Sequence, residues 1–586
     1  VGERDESLRE QVERWMAGDP DSECRAELGR LLEAGQWEEL GERFAGELQF
    51  GTAGLRALVG AGPARMNRAV VGRVTAGLCE YLKQTVTDAA QRGLCIGYDA
   101  RRMSPELAEE SAAVAAAAGF VTRVFDAAVP TPLLAFSVLE RQAAAGVMIT
   151  ASHNAAGYNG YKVYWGNGAQ IIPPHDREIA AAFVAQGPAA RLPRLPAGHA
   201  RERGLRHDLG HELTGRYLEG VRSLPLHPEL PRDICIAYTP LHGVGGRLAL
   251  QALQEAGFHR LHTVAEQFEP DGGFPTLAHP NPEEAGAMQR VLDLARRVKA
   301  DLVIAHDPDA DRMALAAPDR DGEPVALTGD QVGILLAHYL LEQGEGGEGR
   351  LLVSSIVSTP LLQDIARHHG ARWEGTLTGF KWICNRALEL ERESGARFVF
   401  GFEEALGYTA GTPVRDKDGI SSAVLAADMA AWCKHRGLSL RGELERAENI
   451  YGRVYSRSFS LPVPGPGAAG KMNELMVRAR DSIPERIGGC PVVAVSDLLA
   501  GVRREAGGLQ VRLEFPTTDL IALELEGGHR VILRPSGTEP KLKLYFHLRQ
   551  PPDSDGGARF GEREAGRVLQ ELVDDFLRQL NLTATP

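Results

Sequence analysis

The chain has few cysteines for its 586 residues: seven, at positions 24, 79, 95, 235, 384, 433 and 490, with no CxxC pair among them. An odd, scattered set argues against a disulfide framework or a zinc site and reads as reduced, structural thiols. Long hydrophobic runs are missing as well. The most apolar stretch, AAVAAAAGFV, is too short to span a bilayer, and the amino terminus VGERDESLRE is too charged for a signal peptide. A cytoplasmic chain is therefore expected. There is no excess of positive charge: the net charge of -13 disfavours nucleic acid and anionic membranes as partners. Any phosphate site must be basic locally. No G-x-S-x-G elbow surrounds a serine, no nucleotide-type P-loop is present, and 44% hydrophobic with 24% charged residues gives no sign of disorder.

What is present is length and a repeated cadence. A chain of this size exceeds what one core supports, so several domains sharing a site are expected. In the first third, strand GLCIGYD is followed by a helix opened by Ser104-Pro105-Glu106 with Ser104 as cap, then strand VTRVF, a helix at Thr131-Pro132 and strand AGVMIT. The order recurs with ICIAYT, GRLALQALQEAG, LHTVAE, PEEAGAMQRVLDLARRV and DLVIAH. It recurs again from GDQVGILLAHYLLEQ to RFVFG. Such alternation indicates sheets covered on both faces, with ligands beyond the carboxyl ends of strands. From about residue 453 strands and turns dominate before one amphipathic helix. The expected architecture is three similar α/β domains with mixed or parallel sheets plus a C-terminal α+β domain around a central cleft, divided as 1–225, 226–325, 326–452 and 453–586.

A polar motif follows the end of each repeat. TASHNAAGYNGYKVY places Ser152 and His153 just past AGVMIT. DPDADR follows DLVIAH, and in extended backbone Asp307, Asp309 and Asp311 would point the same way. Three carboxylates with no histidine suit Mg²⁺. Taken alone they would equally make a solvated acidic turn. GFEEALGY sets Glu403 and Glu404 as acceptors for sugar hydroxyls. RPSGTEPKLK gathers Arg534, Ser536, Gly537, Thr538, Lys541 and Lys543 into a phosphate cradle that departs from the acidic balance of the chain. A serine near a metal and facing such a cradle points to phosphoryl transfer. His153 is one candidate base, while Lys162 and Lys381 are candidates for neutralising charge or moving the proton.

Together FGTAGLRA, TASHNAAGYNGYKVYW, DPDADR, TLTGFKWI, GFEEALGY and RPSGTEPKLK, in this order, resemble the α-D-phosphohexomutase superfamily, in its long phosphoglucomutase and phosphopentomutase branch. The resemblance implies four domains around one cleft. It implies a phosphorylated Ser152, Mg²⁺ held by Asp307, Asp309 and Asp311 with the serine phosphate, Glu403 and Glu404 in a sugar loop, and Arg534, Ser536, Gly537 and Thr538 on the non-reacting phosphate. Arg56 and Arg312 match positions near the phosphoserine, and Gly379 and Lys381 of GFKW and Lys417 of RDKDG also match. Two positions depart from the pattern: Ala155 stands where proline is usual, and Ala57 where glycine is frequent, which matters only if that position needs positive φ. The implied activity is phosphoglucomutase, with glucose 1,6-bisphosphate as intermediate and activator. Phosphopentomutase, a sugar bisphosphate synthase or phosphatase, and a non-catalytic sugar-phosphate-binding protein are the alternatives. Small sugar phosphates are the expected partners, and both monomer and dimer remain open.

Overall fold

The computed structural model of the protein describes the whole chain except residues 1–2, 50, 52–53, 464–467, 537–540, 553–560, 581 and 583–586. Four sheets follow one another along it. The first is six-stranded, in spatial order Leu55–Leu58, Tyr158–Trp165, Ala145–Ile149, Leu94–Tyr98, Thr122–Phe125 and Arg206–Leu209. Leu94–Tyr98 runs parallel to both Ala145–Ile149 and Thr122–Phe125, and Tyr158–Trp165 returns antiparallel. Alternation along the strands fills both faces. Leu94, Ile96, Val147 and Ile149 join a core with helices Arg68–Thr85 and Ser104–Ala117, while Cys95 and Met148 pack with helix Thr131–Glu140 on the other side.

The second sheet is ordered Pro324–Ala326, Met313–Pro318, Leu302–His306, Cys235–Thr239, Arg260–Thr263, and the third Arg372–Thr376, Arg350–Ser355, Arg397–Glu403, Gly407–Ala410. Each repeats the plan of the first: parallel inner strands, one of which turns back through a short loop into an antiparallel neighbour. Crossover helices cover the faces of parallel strands, so polar groups collect in the loops at the carboxyl ends. Those loops are 150–157, 307–312 and 404–406. One apolar core passes through all three units, from Leu134 through Ile304 and Leu335 to Leu425, which fixes the loops relative to one another.

The fourth sheet is antiparallel and has its own core, around Met476, Leu523, Leu544, Phe546 and Phe576. It meets the third unit through Ser456 Oγ on Asp330 Oδ2 at 2.6 Å, Arg549 on Asp364 at 2.8 Å and Arg530 Nη2 on the Ser358 carbonyl at 2.7 Å. The architecture is thus three α/β units followed by an α+β unit, as expected. Ahead of it, helices Glu3–Gly18, Ser22–Glu33 and Trp37–Arg43 pack through Val12, Leu28 and Leu40 onto Ala61.

Some local expectations change. The proline-rich stretch before Arg206 is more than a connection: it contains helix Ala197–Glu202 and delivers Arg206–Leu209 to the edge of the first sheet. Ser104 is the first helical residue rather than the cap, and its hydroxyl donates to Asp99 Oδ1 at 2.7 Å. The seven cysteines are free and six are buried. No helix among the described residues is long and apolar enough to cross a membrane.

Candidate active site

Ser152 follows strand Ala145–Ile149, is 1% exposed, and has a backbone φ of 53°. A non-glycine residue in that left-handed region is uncommon and costs roughly 1–3 kcal/mol, so its neighbours must hold it there. Its N–H donates to Thr150 Oγ1 at 2.9 Å, and Thr150 donates on to Asp99 Oδ2 at 2.6 Å. Ser152 Oγ donates to Asp307 Oδ2 at 2.9 Å and lies 3.2 Å from His153 Nδ1. Burial, then the Arg312 and Arg56 cations, hold His153 well below the usual imidazole range, so its ring is neutral near pH 7. Arg56 Nη1 donates to Asn154 Oδ1 at 3.0 Å. Ala57 pairs with Asn159 in regular strand register, and neither it nor Ala155 has positive φ, so glycine is not required at 57. The Ala155 carbonyl accepts from Tyr158 N at 3.1 Å, closing the loop without proline.

The aspartates do not lie in extended backbone. Residues 307–311 form a turn in which Ala310, at φ 52°, donates its N–H to the Asp307 carbonyl at 2.9 Å. The turn still gathers one carboxylate oxygen from each within 4.8 Å of the others. Lys162 Nζ bridges Asp309 Oδ2 at 2.7 Å and Asp311 Oδ2 at 3.0 Å, and Lys417 Nζ lies 3.3 Å from Asp311 Oδ2. Burial alone would lower Lys162, but Asp309 and Asp311 outweigh it and keep the ammonium charged. Burial would likewise raise Asp311, but Lys162, Lys417 and Arg312 hold it far below the usual carboxylate range. Asp307 is different: burial, then the charges of Asp309 and Asp311, push it well above that range. Two ammonium groups therefore answer two carboxylates and leave the third unanswered. Asp309 Oδ1 and Asp311 Oδ1 are also buried without a hydrogen-bond partner. An all-oxygen donor set with free lone pairs and surplus negative charge fits a hard divalent cation such as Mg²⁺.

Residues of all three loops, Ser152 to Ala155, Arg312, and Glu404 with Ala405, line a cleft of about 840 Å³. Arg312 faces it, with its N–H on Asp307 Oδ1 at 3.0 Å and its Nη1 3.4 Å from Glu283. Gly379, at φ 113°, turns the chain into helix Phe380–Ser394, whose Lys381 also lines the cleft. Lys381 Nζ lies 3.7 Å from Asp176, so its near ionic partner is Asp176 rather than one of the three aspartates. Glu403 and Glu404 both line the cleft because the strand ends at Glu403. Glu403 Oε1 lies 3.9 Å from Lys417, and Glu404 Oε2 accepts from Ser355 and Ser358 at 3.1 and 3.0 Å. Arg534, Ser536 and Lys543 also line the cleft, with Arg534 Nη2 on the Tyr545 hydroxyl at 3.1 Å. Burial pushes the Lys543 ammonium down. Gly537 and Thr538 lie outside the described residues.

Other participants went unnoticed in the sequence. Thr131 Oγ1 donates to Asp309 Oδ2 at 2.6 Å, so the hydroxyl that opens a helix serves the aspartate turn. Asp99, Arg101 and Thr150 support the serine loop. His279, Asn281, Glu283 and Glu284 line the cleft because the helix expected from residue 282 begins only at Gln289, after Gly286 at φ 84°. The two prolines of HPNP, on either side of Asn281, were the signal available.

Models of the phosphoglucomutase/phosphomannomutase α/β/α domains I, II and III match residues 47–188, 215–322 and 328–449, and the model of the C-terminal domain matches 493–554. Human phosphopentomutase is 33% identical, with 99% of this chain and 98% of the relative covered. A phosphoglucomutase of Staphylococcus epidermidis is 34% identical, covering 87% and 92%. In fold, the chain resembles the open form of pp63/parafusin, a phosphoglucomutase from Paramecium, with a TM-score of 0.66 at 17% identity over 92% of this chain and 95% of that one. The chain belongs to the phosphoglucomutase/phosphomannomutase family of α-D-phosphohexomutases, enzymes that move a phosphoryl group within a sugar phosphate.

Proposed function

We propose that the enzyme interconverts glucose 1-phosphate and glucose 6-phosphate through a phosphorylated Ser152 and a glucose 1,6-bisphosphate intermediate. The observation that carries this reading is the Ser152 hydroxyl, hydrogen-bonded to Asp307 of the aspartate turn and lining a cleft together with Glu403, Glu404, Arg534 and Lys543. In the first transfer the bond from phosphorus to Ser152 Oγ breaks as a sugar hydroxyl oxygen bonds to phosphorus, and the hydroxyl proton passes to a neutral base. The bisphosphate turns over, and its other phosphoryl group returns to the serine.

The residues divide this work. His153 is the neutral nitrogen beside Ser152 Oγ and can take the proton. Lys162 stays charged and balances Asp309 and Asp311. Mg²⁺ held by Asp307, Asp309 and Asp311 would spread the charge on the serine phosphate. Arg534, Ser536 and Lys543, with Gly537 and Thr538 by sequence, grip whichever phosphate is not reacting. Glu403 and Glu404 accept from sugar hydroxyls, and Arg56, Arg312, Gly379, Lys381 and Lys417 frame the reacting phosphate and sugar. The four-part division near residues 225, 325 and 452 is part of the same reading and draws support from the four separate sheets.

The test is turnover of glucose 1-phosphate with Mg²⁺ and a trace of glucose 1,6-bisphosphate. The rate should depend on the bisphosphate, release no free phosphate and vanish in Ser152→Ala; normal turnover in that variant refutes the scheme. A second reading is a pentose 1-phosphate substrate. It is favoured by the near end-to-end match to human phosphopentomutase, 99% of this chain against 87% for the staphylococcal phosphoglucomutase. Comparing kcat/KM for glucose, mannose, ribose and deoxyribose 1-phosphates decides between the two.

A further inference from the structure

We propose that Arg101 is the positioning residue of the serine loop, a buried guanidinium that fixes Ser152 identically whether or not the serine carries phosphate. The inference rests on the proposed role of Ser152. Arg101 is 2% exposed. Its Nη2 donates to the carbonyls of Ser152, at 2.6 Å, and Asn154; its Nη1 donates to those of Ala155 at 2.9 Å and Tyr158 at 3.1 Å. The loop is thus wound around one cation with its carbonyls turned inward. On the far side, Arg101 Nε lies 3.3 Å from Asp99 Oδ2, and Asp99 Oδ1 also accepts the Arg101 N–H at 3.0 Å. The same Asp99 takes the hydroxyl of Thr150, which in turn accepts the Ser152 N–H. The pair Asp99–Arg101 therefore holds Ser152 from both its amide and its carbonyl.

The face of the guanidinium is covered from the second unit. The Phe274 ring lies over it, 4.9 Å from carbon to centroid. The approach of that segment is close: a Cβ at Gly272 would fall 2.4 Å from the Ala100 carbonyl oxygen.

Three features make this a device for the reaction rather than ordinary packing. The residue it grips has a backbone of positive φ that serine rarely adopts, so the loop needs an external hold. A planar fork can serve four carbonyls at once from its two terminal nitrogens while its charge faces the Asp99 carboxylate, which a lysine with three donors cannot. Every bond from Arg101 to the loop ends on a main-chain carbonyl, and Arg101 is not among the residues lining the cleft. The hydrogen bond from Ser152 Oγ to Asp307 must change when phosphate replaces the hydroxyl proton, whereas the clamp keeps all its partners. A serine that is donor and acceptor in one cycle requires a support of this kind.

The test uses the full chain with Arg101→Lys and Arg101→Ala, assayed with glucose 1-phosphate, Mg²⁺ and glucose 1,6-bisphosphate, alongside circular dichroism and intact-mass measurement of phosphate on Ser152. Misplacing the serine should lower kcat by about 10²-fold in Arg101→Lys while KM changes by less than about threefold, because the phosphate and sugar walls are untouched. Phosphorylation of Ser152 by the bisphosphate should slow in parallel. Guanidinium ion should restore about tenfold of the loss in Arg101→Ala and none in Arg101→Lys, whose ammonium fills the cavity. Wild-type kcat in a folded Arg101→Lys overturns the proposal, as does a loss confined to KM or one that follows the unfolded fraction. If Arg101→Ala does not fold, Arg101→Lys alone decides by its kcat and phosphorylation rate. Turnover retained in Ser152→Ala sinks the mutase scheme itself, whereas an inactive Ser152→Ala beside fully active Arg101 variants sinks only the clamp.

Discussion

Replacing Lys162 with methionine removes one charge from the most crowded electrostatic point in the molecule. Lys162 is 1% exposed and bonds Asp309 and Asp311 at 2.7 and 3.0 Å. Truncating one partner of a buried ion pair costs about 3–5 kcal/mol, since the remaining charge is left without solvent or counter-ion. Methionine has nearly the same length, so the loss is of charge rather than volume. The cost must also depend on pH, with a sign fixed by which groups titrate. In the native enzyme Asp309 and Asp311 are held below their ordinary values, although burial and their mutual repulsion push the other way. Without Lys162 those opposing causes raise both groups relative to the wild type, although Lys417 and Arg312 still act on Asp311, so the folded variant binds more protons than the folded wild type. The stability difference therefore grows as pH rises from below 4 through the raised values of the variant and shrinks in acid. Urea midpoints of both proteins in EDTA at pH 5 and pH 8 measure this, and the gap should be wider at pH 8. Mg²⁺ should narrow it, because a divalent cation replaces the lost charge, while kcat stays down by about 10²-fold because the cation does not restore the ammonium geometry. A gap below about 1 kcal/mol at pH 8, or one that widens in acid, would refute the charge balance drawn here.

Thr131→Val removes a hydroxyl from Asp309 at nearly constant volume. It should weaken Mg²⁺ by roughly tenfold, as read from the Mg²⁺ dependence of the rate, with kcat recovered at saturating metal. Asp330 is raised to about 6 by burial, against the pull of Ser456 and the Thr359 amide. A raised folded value means stability is lost as pH climbs from about 4 to 6, by up to about 3 kcal/mol. Asp330→Asn can keep both hydrogen bonds and should therefore flatten that pH dependence and raise the neutral-pH midpoint in urea; an unchanged profile would count against it. Arg534→Met should raise KM for sugar phosphate by about tenfold or more with a smaller effect on kcat, and equal KM would remove Arg534 from the phosphate wall.

How far these features could be read from sequence follows from how far apart their parts lie. The strand and loop of each unit are local, so a short continuous apolar run and the polar run after it located Ser152, the aspartates and the glutamates. The aspartate triplet was read as a cluster, yet its backbone was misjudged: alternate spacing suggests a strand, whereas the left-handed Ala310 folds it into a turn. Lys162 was named as a charge-neutralising candidate, but its pairing with Asp309, 147 residues on, and that of Thr131, 178 residues away, are marked by no local pattern. Arg101 stands 53 residues from Asn154 for the same reason. Helix Gly419–His435 escaped notice because it is buried on nearly every side and so lacks the apolar stripe by which surface helices are recognised.

The distribution of charge explains how an acidic protein can handle dianions. The chain carries a net charge of -13. Its cleft, however, is lined by Arg56, Arg312, Lys381, Lys417, Arg534, Lys541 and Lys543 against only Glu283, Glu284, Glu403 and Glu404. The field outside repels long polyanions, which cannot bring their whole charge into a pocket of about 840 Å³. A small anion can enter whole, and inside it meets seven cationic side chains against four carboxylates. On the proposed reading, Glu403 and Glu404, carboxylate acceptors within that lining, are the groups that would tell one set of sugar hydroxyls from another.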